Sequence, residues 1–474
     1  MTFISLEFTA FFAVFFVLFW FVFNRRAKGQ NWLLLFGSYI FYGWWDWRFL
    51  ILIMISSLCD FEVGKAMART KSPRLRKRLL YVSLVVNLGI LGFFKYFNFF
   101  LDSFKSLIAP FYTWDGFSTL DIILPIGISF YTLQTLSYTI DVYRGKIEAT
   151  DDALSFFAFV SFFPQLVAGP IERAADLLPQ FQRERTFNYD QAADGMRQAA
   201  WGFFKKMVVA DNCGIYMDAA IGNYENVSGA TLLFASFCGG VRLYCDFSGY
   251  SDIAIGTARV LGFNLSKNFD YPYFARNMSE FWRKWHITLI SWFNDYILLW
   301  LKGRTKYKIA RNIFVIFFIT GLWHGANWTF VIWGIIHALL FLPLIFFGRK
   351  RYRHPPGHNR ILPTWREFFA MSKVFWVFTI VGILFVSKDL ETAFGVWRNF
   401  IDPDLFTIPE IPAFEIIFVI PLFVVEWWQR TRDHGLDFTG RQLSTAQRWA
   451  IYFLVVFAVL LYGGQPTEFI YFQF

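Results

Sequence analysis

Apolar runs long enough to cross a bilayer recur along the chain, separated by short clusters of Lys and Arg. They predict membrane spans near residues 5–23, 31–44, 49–64, 79–97, 122–140, 312–328, 330–347, 373–387, 413–427 and 449–463. Region 151–300 breaks this pattern, because its apolar runs at 153–168 and 229–247 are mixed with Pro, Gly and charged residues. Interrupted backbone at membrane depth is tolerated only inside protein or along a wet cavity, so broken or re-entrant helices are expected there. Residues 1–474 read as one helical membrane domain, with no internal repeat and no soluble module.

The basic clusters at 25–28, 65–78, 144–146, 302–311, 349–366 and 430–448 act as topology signals and should be cytoplasmic. The weakly basic stretches 44–48, 102–120 and 388–412 then lie outside, as do both termini. The first span is followed by Arg25, Arg26 and Lys28 and by no small-residue cleavage site, so it reads as an anchor and not a signal peptide. Composition agrees with this reading. The chain is 56% hydrophobic with 63 Phe, 21 Tyr and 20 Trp, against an apolar share of about 45–50% in soluble domains. The net charge of +10 is spread over the inter-span loops, so it does not point to nucleic acid. Cys59, Cys213, Cys238 and Cys245 form no CxxC pair and are expected to be small buried hydrophobes.

Polar groups within a membrane are costly, so each invites a functional reading. The sharpest is His324 in the stretch GLWHGANW (321–328). It follows Arg311 by thirteen residues, a helical rise of about 20 Å, which places it past mid-membrane near the turn of a hairpin. Gly321 and Gly325 allow close approach, Trp323 and Trp328 can wall a pocket, and Asn327 can orient the imidazole. The alternative is a histidine satisfied by a helix neighbour. A second cluster, EFWRKWHI (280–287), brings Trp285 and His286, either as an interfacial helix or as a second polar group lining the same cavity. His337 reads as a packing histidine with a hydrogen bond, and His354, His358 and His434 as solvated loop residues. No HxxH or HExxH pair supports zinc, and no Walker A loop, dinucleotide fingerprint or GxSxG elbow is present. Asp246, Asp252 and Asp295 are expected to cap helices or pair with nearby bases.

At these residues the chain resembles the membrane-bound O-acyltransferase family. The resemblance is to its bacterial branch of alginate O-acetylation proteins, peptidoglycan O-acetyltransferases and teichoic-acid D-alanyl transferases. It rests on LPIGISFYTLQTLSYTIDVYRG (124–145), FFPQLVAGPIERAADLLPQF (162–181), YCDFSGYSDIAIG (244–256), EFWRKWHITLISWFNDYI (280–297), GLWHGANWTFVIWGIIHAL (321–339) and the terminal FIYFQF (469–474). It implies an all-α polytopic fold, a ring of about 10–13 transmembrane helices with re-entrant or broken helices around a central tunnel. It implies His324 as the catalytic histidine and His286 as its second. Asn294 and the stretch 298–303 depart from the pattern of many relatives and bear on the donor. GPIERAADLLPQ (169–180) and the terminal hexapeptide favour the acetylating branch.

The expected reaction is acyl transfer, most simply acetyl, from a cytoplasmic thioester such as acetyl-CoA to a hydroxyl. The end product is an acylated extracytoplasmic polysaccharide or cell-wall polymer. No tightly bound cofactor is expected. Asn327, a tryptophan N–H or His286 can stabilise the oxyanion, and Trp323, Asn327, Trp328, Trp285 and Asp295 are expected along the tunnel. The tail should fold into an apolar groove, either as a seal or with Tyr471 as an acyl relay. With no soluble domain to hold a polymer, an extracytoplasmic partner with a serine-hydrolase-like fold is expected in a bacterial inner membrane. Other readings are D-alanyl transfer from a carrier protein, a transporter with His324 as proton relay, and a glycan polymerase or flippase.

Overall fold

The structure is a computed structural model. It describes residues 1–24, 26–112, 119–298, 300–301, 303, 305–348, 352, 354–358, 360–412, 416–440, 443–463, 467 and 469–472. Regular structure among these residues is helical throughout. The chain forms two compact units, Met1–Tyr189 with Leu261–Leu265, and Asp190–Val260 with Ser266–Phe474.

The first unit contains α1 (Leu6–Val17), α2 (Ala27–Asp46), α3 (Leu50–Arg69), α4 (Pro73–Leu91), α5 (Phe97–Ile108), α6 (Ile128–Arg144), α7 (Ala153–Val160), α8 (Phe163–Leu166) and α9 (Ala174–Phe181). α1 runs into a π-helical turn, Leu18–Val22, and α4 reaches α5 through another, Gly92–Tyr96. Phe8, Phe15, Phe41 and Phe163 pack edge-on and tilted into one aromatic core. A buried polar lock joins α3 to α4: Asn87 donates to Asp60 at 2.9 Å, and Ser83 donates to the same carboxylate at 2.5 Å.

The expected span 122–140 is displaced. Its helix begins at Ile128, because Pro125 keeps the residue before it out of helical conformation and Gly127 turns the chain at φ 76°. Residues Ile128 to Val142 are all buried, so α6 is packed in protein and not against lipid.

The second unit begins with α10 (Tyr189–Phe203), which passes through a π-helical segment, Phe204–Ala210, into α11 (Asp211–Gly222). It continues with α12 (Gly229–Val260), α13 (Met278–Trp282), α14 (Ile287–Phe293), α15 (Lys306–His324), α16 (Trp328–Phe346), α17 (Trp365–Val386), α18 (Leu390–Asn399), α19 (Val419–Gln429) and α20 (Thr445–Tyr462). Short and π-interrupted helices fill much of 151–300 as expected, while the run 229–247 lies within the continuous α12. That helix runs unbroken for 32 residues, about 48 Å. Its glycines do not break it, since they are contact points. A Cβ on Gly202 would lie 2.6 Å from the carbonyl oxygen of Gly249, and one on Gly195 would lie 2.6 Å from that of Gly256. α10 and α12 therefore meet backbone to backbone, as small residues permit in membrane helices.

Among the described residues, four stretches are long and apolar enough to cross a membrane: Pro73–Ile108, Trp328–Phe346, Trp365–Val386 and Thr445–Tyr462. α20 buries Ala458 and packs Ile451, Val455 and Val459 partly buried against the core, leaving its other face exposed. The expected span 413–427 is shorter as a helix, Val419–Gln429, and residues 413–415 lie outside the described residues, as does Arg25 of the first basic cluster. Cys213, Cys238 and Cys245 are buried as expected, whereas Cys59 is partly exposed.

Candidate active site

The site is built on the α15–α16 hairpin. α15 ends at His324, and Gly325 leaves the helix in an extended conformation with φ −161°. The two helices touch through glycine. A Cβ on Gly321 would lie 2.3 Å from the carbonyl oxygen of Phe330, and one on Gly334 would lie 2.3 Å from that of Phe317. This contact fixes His324 against Trp333 of α16, ring centroids 5.2 Å apart and planes at 89°. Phe385 of α17 closes another side at 5.1 Å. The imidazole is 2% exposed.

His286 arrives from a different part of the chain. Its backbone is left-handed at φ 42°, and it stands at the head of α14. A non-glycine residue held there carries strain that the surroundings must impose. Nδ1 of His286 lies 3.0 Å from Oδ1 of Asn268, and the ring sits 4.6 Å from Phe247 on α12. Trp323 is wedged between the two histidines, 5.7 Å from His286 and 5.2 Å from His324, and the histidine rings themselves are 6.5 Å apart.

The third member is the C-terminal tail. α20 ends at Tyr462; residues 464–466, 468 and 473–474 lie outside the described residues. The tail returns into the unit and makes a short 3₁₀ turn at Ile470–Phe472, with Phe469 and Ile470 buried. The ring of Tyr471 stacks 4.4 Å from Phe247, 5.5 Å from His324, 6.3 Å from Trp323 and 6.3 Å from Phe385. Three segments far apart in sequence thus place a phenol ring and two imidazoles around one tryptophan.

Several expected site residues are placed elsewhere. Asn327 does not orient His324. Its oxygen caps α16 by accepting from the Thr329 N–H at 3.1 Å, and its amide donates to the carbonyl of Lys388 at 2.9 Å. Trp328 is 50% exposed and walls no buried pocket. Asp295 is exposed on the π-helical turn Asn294–Leu298. Trp285 is buried, but it stacks on Phe281 at 5.5 Å and Phe378 at 4.8 Å, behind the histidines. Residues 278–282 form a short helix with Met278, Glu280, Phe281 and Trp282 buried, while Arg283 just after it is exposed. His337 packs as expected, 4.7 Å from Trp333 and 5.1 Å from Trp282, yet neither ring nitrogen has a hydrogen-bond partner among the described residues. His434 is not solvated: it is 2% exposed and lies 3.2 Å from Asp194, which also holds Arg259 at 2.7 Å. Asp246 and Asp252 pair with bases as expected, at 2.8 Å from Lys206 and 2.7 Å from Lys205.

Sequence reasoning missed Asn268, Trp333, Phe247 and Phe385. Phe247 and Trp333 lie in two of the quoted motifs, where their apolar rings read as packing, whereas Asn268 and Phe385 come from segments whose local pattern reads as loop or core. Asn268 also lines a small polar cavity of about 20 Å³ with Lys205, Ser251, Asp252 and Glu426. That volume holds about one water molecule.

Residues 148–385 match the model of the membrane-bound O-acyltransferase family. The chain is 40% identical over 447 residues to the probable alginate O-acetylase AlgI of Pseudomonas aeruginosa, covering 93% of this chain and 78% of that one. It is 34% identical over 421 residues to the peptidoglycan O-acetyltransferase of Helicobacter pylori, covering 81% and 76%. A teichoic acid D-alanyltransferase of Bacillus subtilis is 27% identical over 254 residues, covering 49% and 62%. The paired buried histidines, the apolar helices and these likenesses lead to one conclusion: this chain belongs to the membrane-bound O-acyltransferase family and is an integral-membrane O-acyltransferase.

Proposed function

We propose that this chain takes an acetyl group from a cytoplasmic thioester donor such as acetyl-CoA and passes it outward for O-acetylation of an extracytoplasmic polysaccharide or cell-wall polymer. The observation that carries the reading is the juxtaposition of His324, His286 and Tyr471 in one buried aromatic site. A neutral imidazole is the side chain best matched to removing a hydroxyl proton near neutral pH, and His324 takes that role. The hydroxyl of Tyr471 gives its proton to His324 as its oxygen attacks the thioester carbonyl. The C–S bond breaks, the leaving thiolate takes the proton back, and a tyrosyl ester remains. A phenol ionises at about pH 10, well below an alkyl alcohol, so its ester stays activated for a second transfer. The acceptor hydroxyl then attacks that ester, and its proton passes to the phenolate oxygen.

The indole N–H of Trp333 is buried without a hydrogen-bond partner among the described residues, and its ring lies against His324. It is a donor available to the developing oxyanion, and fills the tryptophan N–H option among the three expected donors. The likeness to O-acetylating relatives, closer than that to the D-alanyl relative, supports acetyl over D-alanyl as the group moved. The reading includes a bacterial inner membrane with both termini outside, and a serine-hydrolase-like extracytoplasmic partner that receives the acetyl group for the polymer.

The test is His324→Ala, with polymer acetylation measured in cells and insertion checked in parallel. Loss of a general base costs about 10²–10⁴-fold in rate. Acetylation at the parental level in a strain carrying only the inserted variant would remove His324 from the mechanism.

A further inference from the structure

We propose that Lys206, Asp211 and Asp246 form a clamp on the C-terminal tail, and that this clamp is what sets Tyr471 against His324. The use made of that placement rests on the acyl-relay reading above; the placement itself does not.

The three side chains are buried, at 2%, 0% and 1% exposure. Nζ of Lys206 lies 2.6 Å from Asp211 and 2.8 Å from Asp246, so one ammonium serves two carboxylates. Further donors to those carboxylates come from the tail. The hydroxyl of Thr467 donates to Asp211 at 2.5 Å, and the backbone N–H of Ile470 donates to Asp246 at 2.8 Å. Lys206 in turn donates to the carbonyl of Thr467 at 3.1 Å. The tail and the ion cluster therefore complete each other: without the tail, each carboxylate loses a donor in a place where water cannot substitute cheaply.

The geometry transmits directly to the site. Ile470 is covalently next to Tyr471, so pinning its N–H fixes the start of the residue that carries the phenol. Asp246 is next to Phe247, whose ring meets both Tyr471 at 4.4 Å and His286 at 4.6 Å. One turn of α12 thus grips the tail backbone with a carboxylate and lines the site with a ring. Asn212 adds a further hold on the C-terminal segment, donating to the carbonyl of Tyr462 at 2.9 Å where α20 ends. Buried ion clusters are poor sources of stability compared with apolar packing. Their directional hydrogen bonds are well suited to setting the register of a short tail that has no helix of its own to do so.

The experiment places 3-fluorotyrosine at position 471 of the full-length protein in detergent and records its ¹⁹F resonance, which reports the rings around the phenol. The hydroxyl is kept, so the same preparation is assayed for acyl transfer. Thr467→Val and Asp246→Ala are expected to move the resonance from its own position toward that of a free tail peptide in the same detergent, with loss of transfer. Thr467→Val removes a hydroxyl of partial exposure, so it carries the test even where Asp246→Ala fails to fold. A resonance unchanged in Thr467→Val and in every Asp246 variant that folds overturns the clamp, whatever happens to activity. A displaced resonance with wild-type transfer supports the clamp and removes the relay.

Discussion

Oδ1 of Asn268 lies 3.0 Å from Nδ1 of His286, and the same oxygen accepts from the Thr288 hydroxyl at 2.9 Å and from the Thr288 backbone N–H at 3.4 Å. A backbone N–H can only donate, so this atom is the amide oxygen, and Nδ1 of His286 must carry the proton it shares. In the neutral ring Nε2 is then the unprotonated nitrogen. It is buried and has no hydrogen-bond partner among the described residues.

Asn268→Leu should therefore damage catalysis without removing any group from the site itself. A partner that fixes a histidine's tautomer is worth about 10–100-fold where such partners support metal-bound histidines, and a loss of that order is expected in polymer acylation. Wild-type acylation by Asn268→Leu would show that the tautomer of His286 is irrelevant to turnover.

Tyr471→Phe separates a chemical tail from a structural one. It keeps the ring that stacks on Phe247 and loses only the oxygen. Transfer to polymer should fall to background while the purified variant melts within a degree or two of the parent. Full activity in the variant would leave the tail as a seal on the site.

Gly334→Ala should loosen the hairpin that carries His324. The added methyl would meet the Phe317 carbonyl oxygen at 2.3 Å and its carbon at 3.1 Å, both backbone atoms, so the helices must part. Overpacking of this kind costs about 1–3 kcal/mol. Gly89→Ala on α4 is the control: nothing lies within 4 Å of its new Cβ, and helix propensity favours alanine by about 1 kcal/mol. Thermal unfolding should therefore shift down for Gly334→Ala and not for Gly89→Ala. Equal behaviour of the two would show that the glycine contact does not hold the hairpin.

The proposed topology predicts opposite labelling at two exposed positions. Phe406 is 90% exposed in the weakly basic segment, and Lys71 is exposed in the strongest basic cluster. With the four native cysteines replaced, an impermeant thiol reagent added outside intact cells should label Phe406→Cys and spare Lys71→Cys. The reverse pattern would invert the orientation of the whole chain.

The helical, membrane-embedded character of the chain, the α15–α16 hairpin and the position of His324 at its turn were legible in sequence. These features follow from the transfer free energy and periodicity of contiguous residues, and from glycines whose spacing marks a close approach. The inward fold of the tail was legible for the same reason, since four aromatics in the last six residues cannot stay in water. Other features needed the tertiary structure. Asn327 turned from the imidazole because the Thr329 N–H beside it in the chain and the Lys388 carbonyl, 61 residues on, engage its amide. His434 left the solvent for Asp194, 240 residues away in sequence. Asn268 reached His286 across 18 residues that include the short helix α13, and Lys206 reached Thr467 across 261. The last three pairings are made by a buried polar group finding its partner inside a low-dielectric interior. Local pattern records that such a group is present, but which partner it meets is decided only when distant helices pack.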